Sequence, residues 1–176
     1  MFLETERMIL RDFTLADIDA FHEIFGDAEV MEHTEPPYDR EKALDFLTKF
    51  CIEREPKGAF AAVLKETGKL IGYVLFKSFD APEIFEIGWI FNKDYWGRGY
   101  AYEICARLVQ HGFEDMGLHK ICAHATDGVK SVSLMKKLGM VHEGTQRKHC
   151  KSYGVWEDLY QYAILRDEYE GCIRKG

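Results

Sequence analysis

Apolar residues recur along the chain at two spacings, which predict helices in some segments and strands in others. Spacings of three and four residues predict four amphipathic helices, over residues 15–25, 40–53, 100–116 and 129–138. Thr14 suits the N-cap of the first helix, with Asp17 three residues later in a capping-box position. Pro36-Pro37 interrupts the chain before the second helix, and Gly139 suits the left-handed residue that ends the fourth.

Short runs of apolar and β-branched residues predict strands over 7–13, 59–65, 70–77, 84–91, 120–125, 140–147 and 159–165. Thr67-Gly68 separates two of these runs and predicts a hairpin turn. The resulting order, β-α-α-β-β-β-α-β-α-β-β, predicts an α+β fold around one sheet. Because no repeat or Ser/Gly linker divides the chain, we expect a single domain over residues 1–176.

Composition and charge narrow the class of protein. Apolar residues make up 47% of the chain, which is enough to bury a core and excludes a disordered protein. The net charge of −7 argues against binding to nucleic acid or to an anionic membrane surface, because phosphates are neutralised by an excess of Lys and Arg. The same negative field would attract a cationic substrate or partner.

The sequence carries few signals for membrane insertion, export, disulfide formation or metal binding. The longest uncharged stretch near a strand is Gly58 to Leu64, too short to span a membrane, and the N-terminus is charged where a signal peptide would be apolar. The five cysteines lack a CxxC pair and predict free thiols in a cytoplasmic, reducing compartment. His119, Cys122 and His124 lie close in sequence, but no second ligand pair follows, so we expect no metal site.

The segment Glu86–Glu103 carries the clearest chemical signal. An apolar strand leads into a short loop in which Gly97 and Gly99 flank Arg98, and a helix begins directly afterwards. The first N–H groups of a helix have no partner within it, and glycines let a bulky anion approach the backbone. This arrangement predicts a pyrophosphate site at the helix N-terminus. An ordinary glycine-containing turn is the alternative reading.

Two other kinds of phosphate site are excluded by spacing. A nucleotide P-loop needs G-x-x-x-x-G-K-[ST], a string that is missing from the sequence. A dinucleotide-binding fingerprint needs G-x-G-x-x-G, but Tyr102 stands where the third glycine belongs.

Several motifs in the same order resemble the GNAT superfamily of acetyl-CoA-dependent N-acetyltransferases, and in particular its ribosomal-protein N-terminal branch, the RimJ/RimL-like enzymes. They are Leu10-Arg11, E-I-G-W at 86–89, Y-W-G-R-G-Y-A-Y-E at 95–103, Ser131, K-L-G-M at 137–140 and Glu143-Gly144. The resemblance covers essentially the whole chain. It implies the GNAT acyl-CoA N-acyltransferase fold, a mixed and mostly antiparallel sheet with splayed strands between helices.

The resemblance also implies where acetyl-CoA, the co-substrate, would bind. Backbone groups of Trp89, Ile90 and Phe91 would hold the pantetheine arm and the thioester oxygen. The loop Trp96, Gly97, Arg98, Gly99, Tyr100 and Ala101 would hold the pyrophosphate. Two departures from the family pattern stand out: Trp96 replaces the usual Gln or Arg, and Gly128 replaces an Asn that helps to hold pantetheine in relatives.

Three residues are candidates for proton transfer. Ser131 corresponds to a hydroxyl that protonates the leaving thiolate in this branch, with an N-cap role as the alternative reading and Ser133 as a second choice. Glu86 lies where many family members place a general base, or it is a structural carboxylate. His149 follows the sixth strand, near where the branch can place a catalytic carboxylate, or it is a solvated surface histidine.

The acceptor is predicted as a primary amine. Acidic residues cluster between and within the first two helices, at Asp27, Glu29, Glu32, Glu35, Asp39, Glu41 and Asp45. They favour a cationic acceptor, and we expect the α-amino group of a protein or peptide. The alternatives are an acetyltransferase for a small amine, such as a polyamine or aminoglycoside, and a catalytically silent CoA-binding protein. A homodimer is left open.

Overall fold

The computed structural model describes residues 1–173, and within them eight strands form one sheet in the order β1-β2-β3-β4-β5-β6-β8-β7. The strands are β1 (Phe2–Glu4), β2 (Met8–Arg11), β3 (Ala59–Leu64), β4 (Leu70–Phe79), β5 (Ala81–Phe91), β6 (Lys120–Ala125), β7 (Val141–Ser152) and β8 (Val155–Leu165). The helices are α1 (Ile18–Phe25), α2 (Arg40–Phe46), α3 (Tyr100–Glu114), α4 (Lys130–Lys137) and α5 (Arg166–Ile173). The predicted α+β fold is confirmed, and the predicted elements follow one another in the predicted order, with β1 added before them and α5 after them.

Helices cover both faces of the sheet, so the protein has two hydrophobic cores. Side chains of α3 and α4 pack on one face, where Ile104, Leu108 and Met135 are fully or almost fully buried. Helices α1 and α2 pack on the other face around a cluster of aromatic rings. In this cluster Phe21 has no exposed surface, and its ring stacks on that of Phe25 with centroids 4.3 Å apart.

The β5–β6 pair, which is parallel, separates soon after it forms. In the part of the chain that the structure describes, the other strand pairs are antiparallel. Pairing joins Ile84–Glu86 to Lys120–Cys122, yet β5 continues to Phe91 and β6 to Ala125. The two strands therefore splay, as expected, and the end of β5 has a free edge that faces a cleft.

The N-terminal half contains features that the sequence predicted only in part. The first predicted helix begins as a 3₁₀ turn at Leu15–Asp17 before α1, and the second continues from α2 as a π-helical segment at Leu47–Glu53. The Asp17 carboxylate accepts the Thr14 N–H at 2.8 Å and pairs with Arg11 at 2.7 Å. Asp17 thus both caps the first turn and ties it to β2.

The last hairpin is longer than the sequence predicted. The polar run after residue 147 was not expected to be extended, but β7 and β8 pair up to Ser152 and Val155. Tyr153 and Gly154 form the turn with φ values of 49° and 82°, the conformation that two-residue hairpin turns need. A bulge near Lys148, with φ of 51°, allows the long pair to twist. Strand β1 and helix α5 were also not predicted.

We expect Phe21→Ala to lower the free energy of unfolding by about 3–5 kcal/mol, because it removes a fully buried ring from a packed aromatic cluster. Leu15→Ala is the control, since Leu15 is 57% exposed, and its cost should stay below about 1 kcal/mol. Urea denaturation followed by circular dichroism measures both variants. Equal destabilisation by the two substitutions would contradict the assignment of this core.

Candidate functional site

A tightly folded loop connects the end of β5 to α3. The Asn92 side chain accepts the Asp94 N–H at 3.0 Å and starts a 3₁₀ turn over Lys93–Tyr95. The indole Nε1–H of Trp96 donates to the Phe91 carbonyl oxygen at 2.8 Å. Trp96 therefore bonds back to the strand that precedes the loop and fixes the direction in which the chain leaves it.

The two glycines of the loop have backbone conformations that other residues rarely adopt. Gly97 has a φ of 72° and Gly99 a φ of 81°, both in the left-handed region. Gly99 is also the N-cap of α3, so this position has no side chain to accept the N–H groups of the first helical turn. Those N–H groups and the helix dipole together favour an anion at this point.

Arg7 stabilises the other end of the loop, where the loop joins α3. Its Nε donates to Glu103 Oε2 at 2.6 Å, and its backbone N–H donates to Glu103 Oε1 at 2.9 Å. Arg7 Nη1 also donates to the Arg98 carbonyl oxygen at 3.0 Å, and its guanidinium lies 4.3 Å from the centre of the Tyr100 ring. One arginine, directly before β2, thus joins this part of the chain to both the loop and the first turn of α3.

The backbone N–H and C=O groups of β5 point alternately toward β4 and toward the open edge beside β6, so their position along the strand decides which of them are free. The Asn92 N–H donates to the Ile71 carbonyl oxygen at 2.9 Å, and Tyr73 lies opposite Ile90. In an antiparallel pair, hydrogen-bonded and non-hydrogen-bonded positions alternate, so Ile90 bonds to β4 whereas Trp89 and Phe91 face away from it. This corrects the expectation that Ile90 offers free backbone groups, although its side chain lines the cleft.

The start of α4 is held by a carboxylate that the sequence analysis did not single out. Asp127 accepts the N–H groups of Val129, Lys130 and Ser131 at 2.8, 3.1 and 3.0 Å. Burial raises the pKa of Asp127, but these three hydrogen bonds outweigh burial and keep the pKa below its usual value. Because Asp127 caps the helix, the alternative reading of Ser131 as its N-cap is wrong. The Ser131 hydroxyl lies 3.5 Å from Asp127 Oδ2.

Gly128, the second departure from the family pattern, has a packing reason. A Cβ at this position would come within 3.1 Å of the Tyr160 ring on β8, closer than ordinary van der Waals contact. A larger residue would therefore push α4 away from the sheet or displace the tyrosine.

These elements surround an open cleft of about 430 Å³. It is lined by the segment between α1 and α2, the end of β5, the glycine loop with the start of α3, and α4. The residues that line it include Glu29, Glu32, His33, Trp89, Ile90, Phe91, Trp96, Gly97, Gly99, Tyr100, Ala101, Asp127, Lys130, Ser131, Ser133 and Lys137. The structure thus brings Ser131 together with every predicted acetyl-CoA residue except Arg98.

Arg98 and His149 lie outside this cleft. Arg98 is exposed, and its guanidinium lies 5.8 Å from the centre of the Tyr95 ring. The positive charge at the cleft comes instead from Lys137 and from Lys130, whose Nζ lies 4.2 Å from the centre of the Trp96 ring. His149 is exposed in the bulge of the edge strand β7 and does not line the cleft.

Glu86 lies on the face of the sheet that α1 and α2 cover, paired with a histidine that the sequence analysis considered only as a metal ligand. Glu86 Oε1 and His124 Nδ1 are 2.8 Å apart, and Glu86 Oε2 lies 3.4 Å from Lys77 Nζ. Both carboxylate oxygens are therefore engaged. His124 lines a second cavity of about 230 Å³, which adjoins the cleft and shares Trp89 and Ser131 with it.

The segment between α1 and α2 forms an acidic wall of the cleft and is held from several sides. Thr126 Oγ1 donates to the His33 carbonyl oxygen at 2.7 Å, and Ser152 Oγ donates to that of Glu32 at 3.2 Å. Lys93 Nζ lies 2.7 Å from Asp27 and 3.6 Å from Glu29. The side chains of Glu29 and Glu32 line the cleft, so two carboxylates face its space on this side.

Within the described residues the cysteine thiols are unpaired. Within the same part of the chain, no cluster of side chains suits a metal ion. Cys51, Cys105, Cys122 and Cys150 are free thiols, as predicted, while the Cys172 side chain lies outside the described residues. No group of three or more His, Cys, Asp or Glu side chains within residues 1–173 is arranged to hold a metal ion. Over the same residues, no helix is both long and apolar enough to cross a membrane.

Comparison with known proteins places this geometry in a family. Residues 7–141 match the model of the acetyltransferase (GNAT) domain. The chain is 34% identical to the uncharacterized N-acetyltransferase YnaD of Bacillus subtilis, over 96% of this chain and 99% of YnaD. A GNAT-family acetyltransferase structure from Bacillus anthracis superposes with a TM-score of 0.87 at 31% identity, over 95% of this chain and 99% of that one.

Two more distant structures share the fold. A spermidine N-acetyltransferase of Vibrio cholerae, solved with CoA and spermine, gives a TM-score of 0.79 at 24% identity, over 93% of this chain and 98% of that one. The ribosomal-protein-S5-alanine acetyltransferase of Vibrio fischeri gives 0.79 at 20% identity, over 95% and 97%. With its splayed sheet and its matched domain, the chain belongs to the GNAT family and is an acetyl-CoA-dependent N-acetyltransferase.

Proposed function

We propose that this enzyme acetylates the α-amino group of a positively charged protein or peptide N-terminus. The observation that carries the proposal is the acidic wall of the cleft, where Glu29 and Glu32 line the space in front of Trp89. Carboxylates at the mouth of a cleft raise the local concentration of a cationic acceptor. They also repel anionic amines, such as acidic amino acids, from the same space.

Acetyl-CoA is proposed to lie along the splayed edge of β5. The first N–H groups of α3, exposed by Gly97 and Gly99, would hold the pyrophosphate, and Lys130 and Lys137 would add positive charge. The backbone of Trp89 and the N–H of Phe91 face the open edge, while the Phe91 carbonyl is occupied by Trp96. An N–H donor here can stabilise the oxyanion that forms when the amine attacks the thioester.

The basicity of the amine favours an N-terminus over a lysine side chain. The reference pKa is about 8 for an α-amino group and about 10.4 for a lysine amine. Each unit corresponds to about 1.36 kcal/mol, so freeing the lysine amine of its proton at neutral pH costs roughly 3 kcal/mol more. An acetyltransferase with modest bases in its site therefore reacts more readily with an α-amine.

Three further assignments, of the family branch, a second acceptor and the cellular compartment, have separate support. The RimJ/RimL-like branch predicted from the sequence is supported by the fold shared with the Vibrio fischeri enzyme, whose name describes an acetyltransferase of a ribosomal protein. A polyamine acceptor is the second candidate, because the acidic wall suits it and the Vibrio cholerae fold neighbour is a spermidine N-acetyltransferase. The four free thiols support the proposal of a cytoplasmic, reducing compartment.

Ser131 is proposed to protonate the leaving thiolate of CoA. Its hydroxyl lines both the cleft and the adjoining cavity. At 3.5 Å from Asp127 Oδ2, it is at the outer limit of a hydrogen bond, so its hydrogen is free to turn toward the thioester. Asp127 contributes by holding the Ser131 backbone rather than by taking part in the proton transfer.

The acceptor is tested by following thiol release from acetyl-CoA with three kinds of amine: basic peptides with a free N-terminus, the same peptides with a blocked N-terminus, and spermidine. We expect turnover with the free peptides and at most background turnover with the blocked ones, because the latter keep only lysine amines. Intact-mass analysis should show the addition of one acetyl group.

Three outcomes would overturn the acceptor assignment. Equal turnover of free and blocked peptides would indicate acetylation of lysine, and turnover confined to spermidine would favour the polyamine reading. Tight binding of acetyl-CoA without turnover of any amine would contradict both acceptors.

Gly99→Val should weaken acetyl-CoA binding at least 10-fold, because a β-branched residue is disfavoured at a φ of 81° and forces the loop and the start of α3 to move. Gly68→Val is a matched control, since Gly68 has a φ of 68° and open space where a Cβ would lie, but belongs to the β3–β4 turn. Calorimetric titration with acetyl-CoA compares the two variants. Wild-type affinity in folded Gly99→Val would contradict the placement of the pyrophosphate.

Ser131→Ala should lower kcat by about 10²-fold, the low end for a general acid, and leave acetyl-CoA affinity nearly unchanged. Steady-state kinetics and calorimetry separate the two effects. Ser133→Ala tests the second choice from the sequence, because Ser133 also lines the cleft. Full activity of Ser131→Ala, or a larger loss in Ser133→Ala, would show that Ser131 is not the acid.

A further inference from the structure

The Glu86–His124 pair has the geometry of a histidine base held by a carboxylate. The two residues come from β5 and β6, at and just beyond the last paired positions of those strands. The side chains of Glu86 and His124 are only 17% and 16% exposed, and 2.8 Å separates Glu86 Oε1 from His124 Nδ1. The ring of Phe79 packs beside the imidazole with centroids 5.2 Å apart. The imidazole is thus held on two sides.

The ionisation state of the Glu86 carboxyl group determines which ring nitrogen of neutral His124 carries the hydrogen. Burial raises the pKa of Glu86, but the interactions with His124, and after them those with Lys77, outweigh burial and leave the pKa below its usual value. An ionised carboxylate can only accept hydrogen bonds, so His124 Nδ1 must carry the hydrogen. The Nε2 atom of neutral His124 then has a free lone pair.

His124 is positioned beside the reaction space. It lines the smaller cavity together with Trp89 and Ser131, which also line the cleft. Direct proton removal by Glu86 is less suitable, because both of its oxygens are engaged and its basicity is lowered. A neutral imidazole has a reference pKa of about 6.5 and accepts protons well near neutral pH.

We propose that His124 is the general base of acetyl transfer and that Glu86 is a positioning residue that fixes its tautomer and orientation. The amine nitrogen uses its lone pair to form the N–C bond, and its proton passes to His124 Nε2. The C–S bond breaks, the sulfur keeps the electron pair, and Ser131 supplies its proton. The proton on His124 returns through solvent to Ser131, so one proton passes from nitrogen to sulfur overall.

This inference rests on the proposed function in two respects: an amine enters the smaller cavity, and Ser131 supplies the proton to the sulfur. The experiment uses whichever acceptor shows turnover, so a different acceptor overturns the peptide assignment and leaves the test of His124 intact. Other titratable groups on this face of the sheet or around the cavity include Lys77, Cys122, Tyr73, His33, Asp127 and Glu157. None of these groups is altered by the substitutions below.

His124→Gln should lower kcat about 10²-fold to 10³-fold and leave the KM for acetyl-CoA unchanged. The ratio of wild-type to variant kcat is measured from pH 5.5 to 9. It should fall at the acid end, because a general base acts only in its unprotonated form, while titration of the acceptor is common to both enzymes and cancels. A merely structural role would give a ratio that does not change with pH.

Glu86→Gln should lower kcat about 10-fold and leave the KM for acetyl-CoA unchanged, because an amide is a weaker acceptor than a carboxylate and no longer fixes the imidazole in one tautomer. His111→Gln is the matched control, since His111 Nδ1 forms a similar pair with Asp115 at 2.7 Å on α3, outside the cleft. His124→Asn is the second variant if His124→Gln does not fold. A pH-independent ratio, or wild-type kcat in either folded His124 variant, overturns the proposal.

Discussion

Pairing between β5 and β6 stops after three residues on each strand, and the site depends on where it stops. Beyond Glu86 the backbone of β5 is bonded to β4 on one side and free on the other. In a continuous sheet the N–H groups of Trp89 and Phe91 would be used by the next strand. Because β6 turns away, these groups become available to a ligand without the cost of breaking the sheet. The splay therefore converts a buried strand edge into a binding surface.

The loop that follows this edge has an unusual backbone, and neighbouring side chains stabilise it. Gly97 and Gly99 adopt left-handed conformations that exclude most other residues. Trp96 bonds to Phe91 at one end of the loop, while Arg7 bonds to Arg98 and Glu103 at the other. The loop is thus fixed before a ligand arrives, which lowers the entropy that binding would otherwise cost.

The two faces of β5 have different tasks in the proposed reaction. Residues with odd numbers, such as Trp89 and Phe91, pack toward α3 and α4, where acetyl-CoA is proposed to lie. Glu86 points to the opposite face, beneath the acidic segment between α1 and α2, and meets His124 there. The splay joins the two sides, so an amine that approaches over one face can reach a thioester held along the edge.

The sequence alone was sufficient for features that depend on near neighbours. Helices α1 to α4 follow from apolar spacing, and the glycine loop before α3 follows from Gly97-Arg98-Gly99 between an apolar strand and a helix. The pairs Glu86–His124 and Arg7–Glu103 are separated by 38 and 96 residues, and strand register and helix packing bring them together. His149 lies near the site in sequence pattern, but the β7 bulge and the edge position of that strand leave it exposed. Local backbone chemistry is encoded within a few residues, whereas the meeting of His124 with the Glu86 carboxylate depends on where a parallel strand pair opens, and only the tertiary structure decides that.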